Sequence, residues 1–184
     1  MVDLLELQKS FILMHLGEGD VAADFTMGNG HDTEFLSKTV GENGKVYAFD
    51  IQSRAIDNTK KHLTEAGCPL NYALHQVSHD RAYQFIDGKI KAGMFNLGYM
   101  PGSGNKKLTT MRKTTMPAVE RAIGMLDRDA ILLIAVYPGH AEGEAEGREL
   151  TEYLSTLDRR IYTVGQFRML NSPTSPFFMI IETK

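Results

Sequence analysis

Apolar positions along the chain switch repeatedly between a period near two and a period near 3.6. Short β-branched or aromatic runs predict five strands: "VAADF" (21–25), "KVYAFDI" (45–51), "NYALHQV" (71–77), "AGMFNL" (92–97) and "AILLIAV" (130–136). Helical spacing predicts helices over 4–16, 33–40, 53–66, 80–86, 110–125 and 144–157, the third stopped by Gly67 and Pro69. Strict alternation of the two patterns is the mark of βαβ units, wound right-handed into a mostly parallel sheet with helices on both faces. After the last helix, "RIYTVGQFRM" (160–169) and "PFFMIIET" (176–183) flank the turn-rich "LNSPTS". They predict a closing hairpin that places an antiparallel strand in the sheet.

Length and composition narrow the class. A chain of 184 residues can build one domain with a sizeable core but not two ordinary ones, so a single domain over 1–184 is expected. With 42% hydrophobic and 23% charged residues and a formal charge of −3, disorder and an overall basic binder are excluded. The single cysteine, Cys68, rules out an internal disulfide framework. Asp3 and Glu6 stand where a signal peptide wants positive charge, and no run of eighteen apolar residues exists to span a membrane. A cytoplasmic protein, monomer or homodimer, is expected. The six histidines are dispersed and no cysteine pair exists, so no metal site is predicted.

Candidate chemistry begins at "DFTMGNGHDTEFL" (24–36), which follows the first strand and leads into a helix. Gly28 and Gly30 allow a tight turn whose amides meet an anion at the helix start. Threonine at 33 stands where a dinucleotide fold wants a further glycine beside a pyrophosphate, so a ligand with one carboxylate and no phosphate fits better. That describes S-adenosylmethionine, with Asp24 as partner for its amino group. A glycine-containing turn in any α/β protein is the competing account. Asp50, at the end of "VYAFDIQ" about twenty residues on, stands where acids hold ribose hydroxyls. Its alternative role is to cap the helix starting near Ser53, and Ser53 is the better cap. Ser78, His79 and Asp80 in "VSHD" close the third strand beside an expected adenine site, or cap the helical segment after it.

The fourth strand ends in "FNLGYMPGSGNKK". This segment resembles the catalytic motif of amino-group methyltransferases, an acid or asparagine, two prolines and an aromatic. Asn96 and Tyr99 match, while Leu97 and Gly98 replace the prolines. Asn96 and the Leu97 carbonyl could accept the hydrogens of a neutral amine while Tyr99 stacks on an attached ring. Together with "VYPGH", these stretches resemble, over nearly the whole chain, the small stand-alone class I methyltransferases long described as rRNA methylases. That family is now associated with methylating the aminomethyl group of wobble thiouridine in tRNA. The resemblance implies a Rossmann-like, seven-stranded sheet with its last strand antiparallel, S-adenosylmethionine as donor and an RNA substrate. It also implies cofactor contacts from Met27, Asn29, Gly30, Asp32, Asp50, Gln52, Ser78 and His79.

Charge supports an anionic substrate independently. Between Asp87 and Glu120 no acid occurs, but Lys89, Lys91, Lys106, Lys107, Arg112 and Lys113 do, and the last four directly follow the candidate catalytic loop. A solvated helix face is the alternative. His31, His140 and Asn171 stand in loops or turns expected at the same rim. Ring-carbon methylation needs a nucleophilic cysteine, and Cys68 in "EAGCPL" lies away from the expected ligand edge. Rival readings are an rRNA base methyltransferase, a nicotinamide-dependent oxidoreductase and a non-catalytic RNA-binding module. The missing third glycine disfavours the oxidoreductase, and intact Asp24, Gly28, Gly30 and Asp50 disfavour the non-catalytic module.

Overall fold

A computed structural model describes residues 3–98, 111–139, 141–172 and 174–184. Tyr99, Lys106, Lys107 and His140 therefore lie outside the described residues. The seven strands are β1 (Val21–Asp24), β2 (Lys45–Asp50), β3 (Tyr72–Gln76), β4 (Ile90–Leu97), β5 (Leu126–Val136), β6 (Tyr162–Phe167) and β7 (Phe177–Thr183). They form one sheet in the order β3-β2-β1-β4-β5-β7-β6. β1 to β5 pair in parallel, and β7 runs antiparallel to both β5 and β6, as the closing hairpin predicts.

The period-two pattern explains why both faces are covered. In β5, Leu132, Ile134 and Val136 join the core on one face, with Phe25, Phe49 and Phe95. The alternate residues Ile131, Leu133 and Ala135 join the other, with Leu36, Val40 and Phe178. The helices are α1 (Leu4–Ile12), α2 (His31–Val40), α3 (Ser53–Glu65), α4 (Arg112–Met125) and α5 (Ala141–Leu154). Helix α1 starts at Asp3, whose side chain accepts from the Leu5 and Glu6 amides. Helix α3 ends where Gly67 takes φ 65° and the Cys68 amide reaches back to the Leu63 carbonyl.

Four expectations are corrected, the first being that α1 stops at Ile12 instead of running over 4–16. The helical pattern at 80–86 is a 3-10 turn, His79–Gln84, too short to sustain α-helical bonding. Helix α5 starts at Ala141 and stops at Leu154 instead of running over 144–157. Ser53 is not a cap but the first residue of α3, after Gln52. Among the described residues, no helix is long and apolar enough to cross a membrane.

Candidate active site

The chain steps outward from β1 to β3 and returns beside β1 as β4, so the crevice at the switch point is bordered by the carboxyl ends of β1 and β4. Two contacts close that border: the Phe25 amide donates to the Met94 carbonyl at 2.9 Å, and the Asn96 amide donates to Thr26 Oγ1 at 2.7 Å. Thr26, odd for a glycine-rich turn, is thus the tie between the turn and the strand carrying Asn96.

The turn itself is fastened to α3. Asn58 Nδ2 donates to Asn29 Oδ1 at 3.0 Å, and Thr59 Oγ1 donates to the Gly28 carbonyl at 3.2 Å. Gly30 takes φ 89°, and a Cβ there would lie 3.0 Å from the backbone Cα of Thr59. Only glycine allows both that conformation and that approach. Met27 is buried against Ala48 and Ala55, and its amide donates to the Phe49 carbonyl.

The glycine amides are not the open anion site expected of them. Gly28 donates to Asp50 Oδ2 at 3.1 Å, and Gly30 to the Met27 carbonyl at 2.7 Å. The amides that helix geometry leaves without intrahelical acceptors are those of His31, Asp32 and Thr33, the first turn of α2, where Gly30 supplies no side-chain cap.

The acids divide by environment. Asp24 has no exposed surface. Its Oδ2 accepts from the Thr33 hydroxyl at 2.6 Å and its Oδ1 from the Thr26 amide at 3.1 Å. Burial first, then the neighbouring Asp32 charge, raises its pKa to about 7. Asp24 therefore faces the inside of the turn, with each oxygen taken by one of the turn's own donors. Thr33, read as a missing glycine, is its hydrogen-bond donor. Asp32 is also raised by burial, and it accepts from Asn96 Nδ2. Asp50 is half-buried; besides Gly28 it accepts from the Gln52 amide at 2.9 Å through Oδ1. It is not the free acid expected, since each oxygen holds one backbone amide. A carboxylate has about four lone-pair sites, so Asp50 can still accept from a further donor.

Among the described residues, His79 Nε2 and Asp80 Oδ1 past β3 and Asn96 Oδ1 near the end of β4 are orphaned buried polar atoms, as is His75 Nε2 within β3. Asn96 Oδ1 is buried without a hydrogen-bond partner among the described residues, because Asp32 draws the amide nitrogen and turns the oxygen away. His79 Nε2 is also buried and unpartnered, its ring edge-on to Phe95 at 5.9 Å. Burial lowers the His79 pKa to about 4, so the ring is neutral at pH 7. Ser78 precedes the 3-10 turn without capping it. Asn171 is exposed in the β6–β7 connection.

The described members of the basic run, Lys89, Lys91, Arg112 and Lys113, do not form one patch. Lys89 and Lys91 stand at the start of β4, opposite Asn96, and donate to the Gly124 and Arg128 carbonyls. Arg112 is paired with Glu142 at 3.1 Å and Glu149 at 3.6 Å. Lys113 is exposed and in no ion pair among the described residues.

A glycine cradle closed against Thr59, a half-buried acid at the end of β2 and orphaned polar atoms past β3 and near the end of β4 fit an adenosyl ligand bearing a ribose diol and a single carboxylate. Fold and site together define a class I methyltransferase, the class whose methyl donor is S-adenosylmethionine.

A family model described as "Putative rRNA methylase" matches residues 46–182, and the chain belongs to that family. A structure described as a "putative rRNA-methylase" from Clostridium thermocellum shares 36% identity, with a TM-score of 0.95 over 100% of this chain and 99% of that one. A "putative methyltransferase" from Streptococcus mutans, solved with SAH, shares 32% at TM-score 0.89, covering 100% and 99%. The chain is 32% identical over 174 residues to the chloroplastic tRNA (mnm(5)s(2)U34)-methyltransferase of Arabidopsis thaliana. That match takes in 89% of this chain but spans 63% of the relative's length.

Proposed function

We propose that this chain is an S-adenosylmethionine-dependent RNA methyltransferase that methylates the aminomethyl nitrogen of wobble thiouridine in tRNA, acting in the cytoplasm as a single domain. The observation that carries the reading is Asn96 Oδ1, a buried acceptor without a partner among the described residues, held at the switch point by Asp32 and Thr26. The name of the Arabidopsis relative supports the choice of nucleotide.

In this reading Asp50 accepts the ribose hydroxyls with its remaining lone pairs, while the first-turn amides of α2 hold the amino acid carboxylate. Ser78 and His79 flank the adenine, and Met27 and Gln52 line the same ligand. Asp24, Asn29 and Asp32 act through other residues: Asp24 and Asn29 brace the turn, and Asp32 orients Asn96. The donor, when bound, supplies an electrophilic methyl group on a sulfonium. Asn96 Oδ1 and the Leu97 carbonyl accept the hydrogens of the neutral amine and aim its lone pair at that methyl. Tyr99 is assigned to stack on the attached ring, and Lys106, Lys107 and Lys113 to meet RNA phosphates.

Loss of the gene should leave the aminomethyl-thiouridine of tRNA unmethylated, as read by mass spectrometry of tRNA nucleosides. A methyl missing from rRNA instead would favour an rRNA base methyltransferase. Asn96→Ala should lower turnover by about 10²-fold or more, with cofactor affinity nearly unchanged. Near-normal turnover would reduce Asn96 to a structural strand end.

A further inference from the structure

Histidines far apart in sequence meet beside the glycine turn. His31 is the first residue of α2, Glu34 lies three residues on along the same helix face, and His62 stands in the last turn of α3. His62 Nε2 lies 2.6 Å from Glu34 Oε2, and the His31 and His62 rings meet edge to face at 4.6 Å. One ligand atom from each of the three lies within 4.8 Å of the other two.

We propose that His31, Glu34 and His62 bind a divalent transition-metal ion of the zinc class, clipping α2 to α3. Two imidazoles and one carboxylate are a ligand set zinc uses, at bond lengths of about 2.0–2.2 Å that place neighbouring ligand atoms about 3.3 Å apart. With Glu34 Oε2 and His62 Nε2 at 2.6 Å and all three ligand atoms within 4.8 Å of one another, small side-chain rotations would set that spacing. The fourth position is open to water.

Three features favour a metal over a plain His–Glu ion pair. Lys38 Nζ donates to Glu34 Oε1 at 2.6 Å, leaving Oε2 directed at His62, the outer support that ligating carboxylates receive. The Glu34 carboxylate is thus held between a lysine ammonium and an imidazole, at 2.6 Å from each. His31 is exposed and makes no hydrogen bond among the described residues, so an ion pair between Glu34 and His62 gives it no task. The ligands stand on helices already joined, since Asn58, Thr59 and His62 share the side of α3 that meets the turn and α2.

The test is calorimetric titration of zinc chloride into the full chain carrying no histidine tag, followed by anomalous diffraction at the zinc edge from crystals soaked in zinc. One zinc per chain is expected, with anomalous density between His31, Glu34 and His62 and a raised melting temperature. His31→Ala and His62→Ala should each weaken binding at least tenfold while melting normally without zinc. Because His31 is exposed at a helix start, its variant keeps the fold even where His62→Ala does not. Zinc affinity unaltered by His31→Ala, density at another place, or no binding would overturn the site.

Discussion

The carboxyl ends of β1 and β2 each carry an aspartate, and the two acids have opposite fates. Asp24 is sealed, with a hydroxyl and an amide filling its oxygens and a pKa raised to about 7. Asp50 reaches two residues further, stays half-buried and keeps room for a further donor. Identical chemistry is thus used up by the turn's architecture in one strand and left able to accept from a further donor in the next. What decides the role is which donors the fold has already supplied.

The largest expected effect breaks the sealed side. Asp24→Ala strands the Thr33 hydroxyl and the Thr26 amide, and should destabilise the protein by roughly 2–6 kcal/mol at about 1–3 kcal/mol per unpaired group. Denaturant unfolding reads this, and a loss under 1 kcal/mol would show that water replaces the carboxylate. Asp50→Ala should act in the reverse sense, costing about 1.5–3 kcal/mol of cofactor binding by calorimetry with a much smaller change in unfolding. Equal damage to both quantities would erase the distinction between the two acids.

A titration sharpens it further. Asp24 is raised from 3.8 to about 7, so its contribution to stability is full below pH 4 and lost as pH rises through about 7. His79 is lowered from 6.5 to about 4, so its contribution is full above pH 6.5 and lost as pH falls through about 4. The two slopes oppose one another in the wild type. Asp24→Asn should make stability rise more steeply with pH in that window, and His79→Gln should make it fall, each by up to about 1.4 kcal/mol per pH unit. Parallel curves for the wild type and both variants would deny the burial of these groups any thermodynamic weight.

The same contrast between held and open charge applies to the basic segment, with the smallest effect. Neutralising Lys106, Lys107 and Lys113 should flatten the salt dependence of RNA binding by about 0.7 per lost single-strand contact. Neutralising Arg112, already paired with Glu142 and Glu149, should leave the slope alone. A slope set by Arg112 and indifferent to the lysines would move the RNA to another face.

Local patterns and long-range partnerships differ in how far the sequence reveals them. The sheet was legible because period-two runs alternate with helical ones, and Asp50 because an apolar run ends in an acid. The position of two cations could also have been drawn from strand direction: Lys89 precedes β4 and Lys91 lies at its start, whereas Asn96 stands beside its end. Cys68, between α3 and β3, lies likewise at the sheet's amino edge, away from the crevice. Partnerships across long sequence distances were not legible. Nothing local says that Thr33 serves Asp24, that Thr59 walls Gly30, or that Arg112 is held by acids thirty or more residues later. His31 and His62 looked dispersed for the same reason, since only the packing of α2 on α3 brings them together.

Transfer of a methyl group to an amine held by Asn96 is the central claim. Its most direct test is incubation of the purified protein with S-adenosylmethionine and tRNA bearing aminomethyl-thiouridine at the wobble position, read by mass spectrometry of the released nucleosides. One added methyl on the aminomethyl nitrogen of that nucleotide is the predicted result. No methylation under conditions where the cofactor binds, or a methyl on a ring carbon, would contradict it.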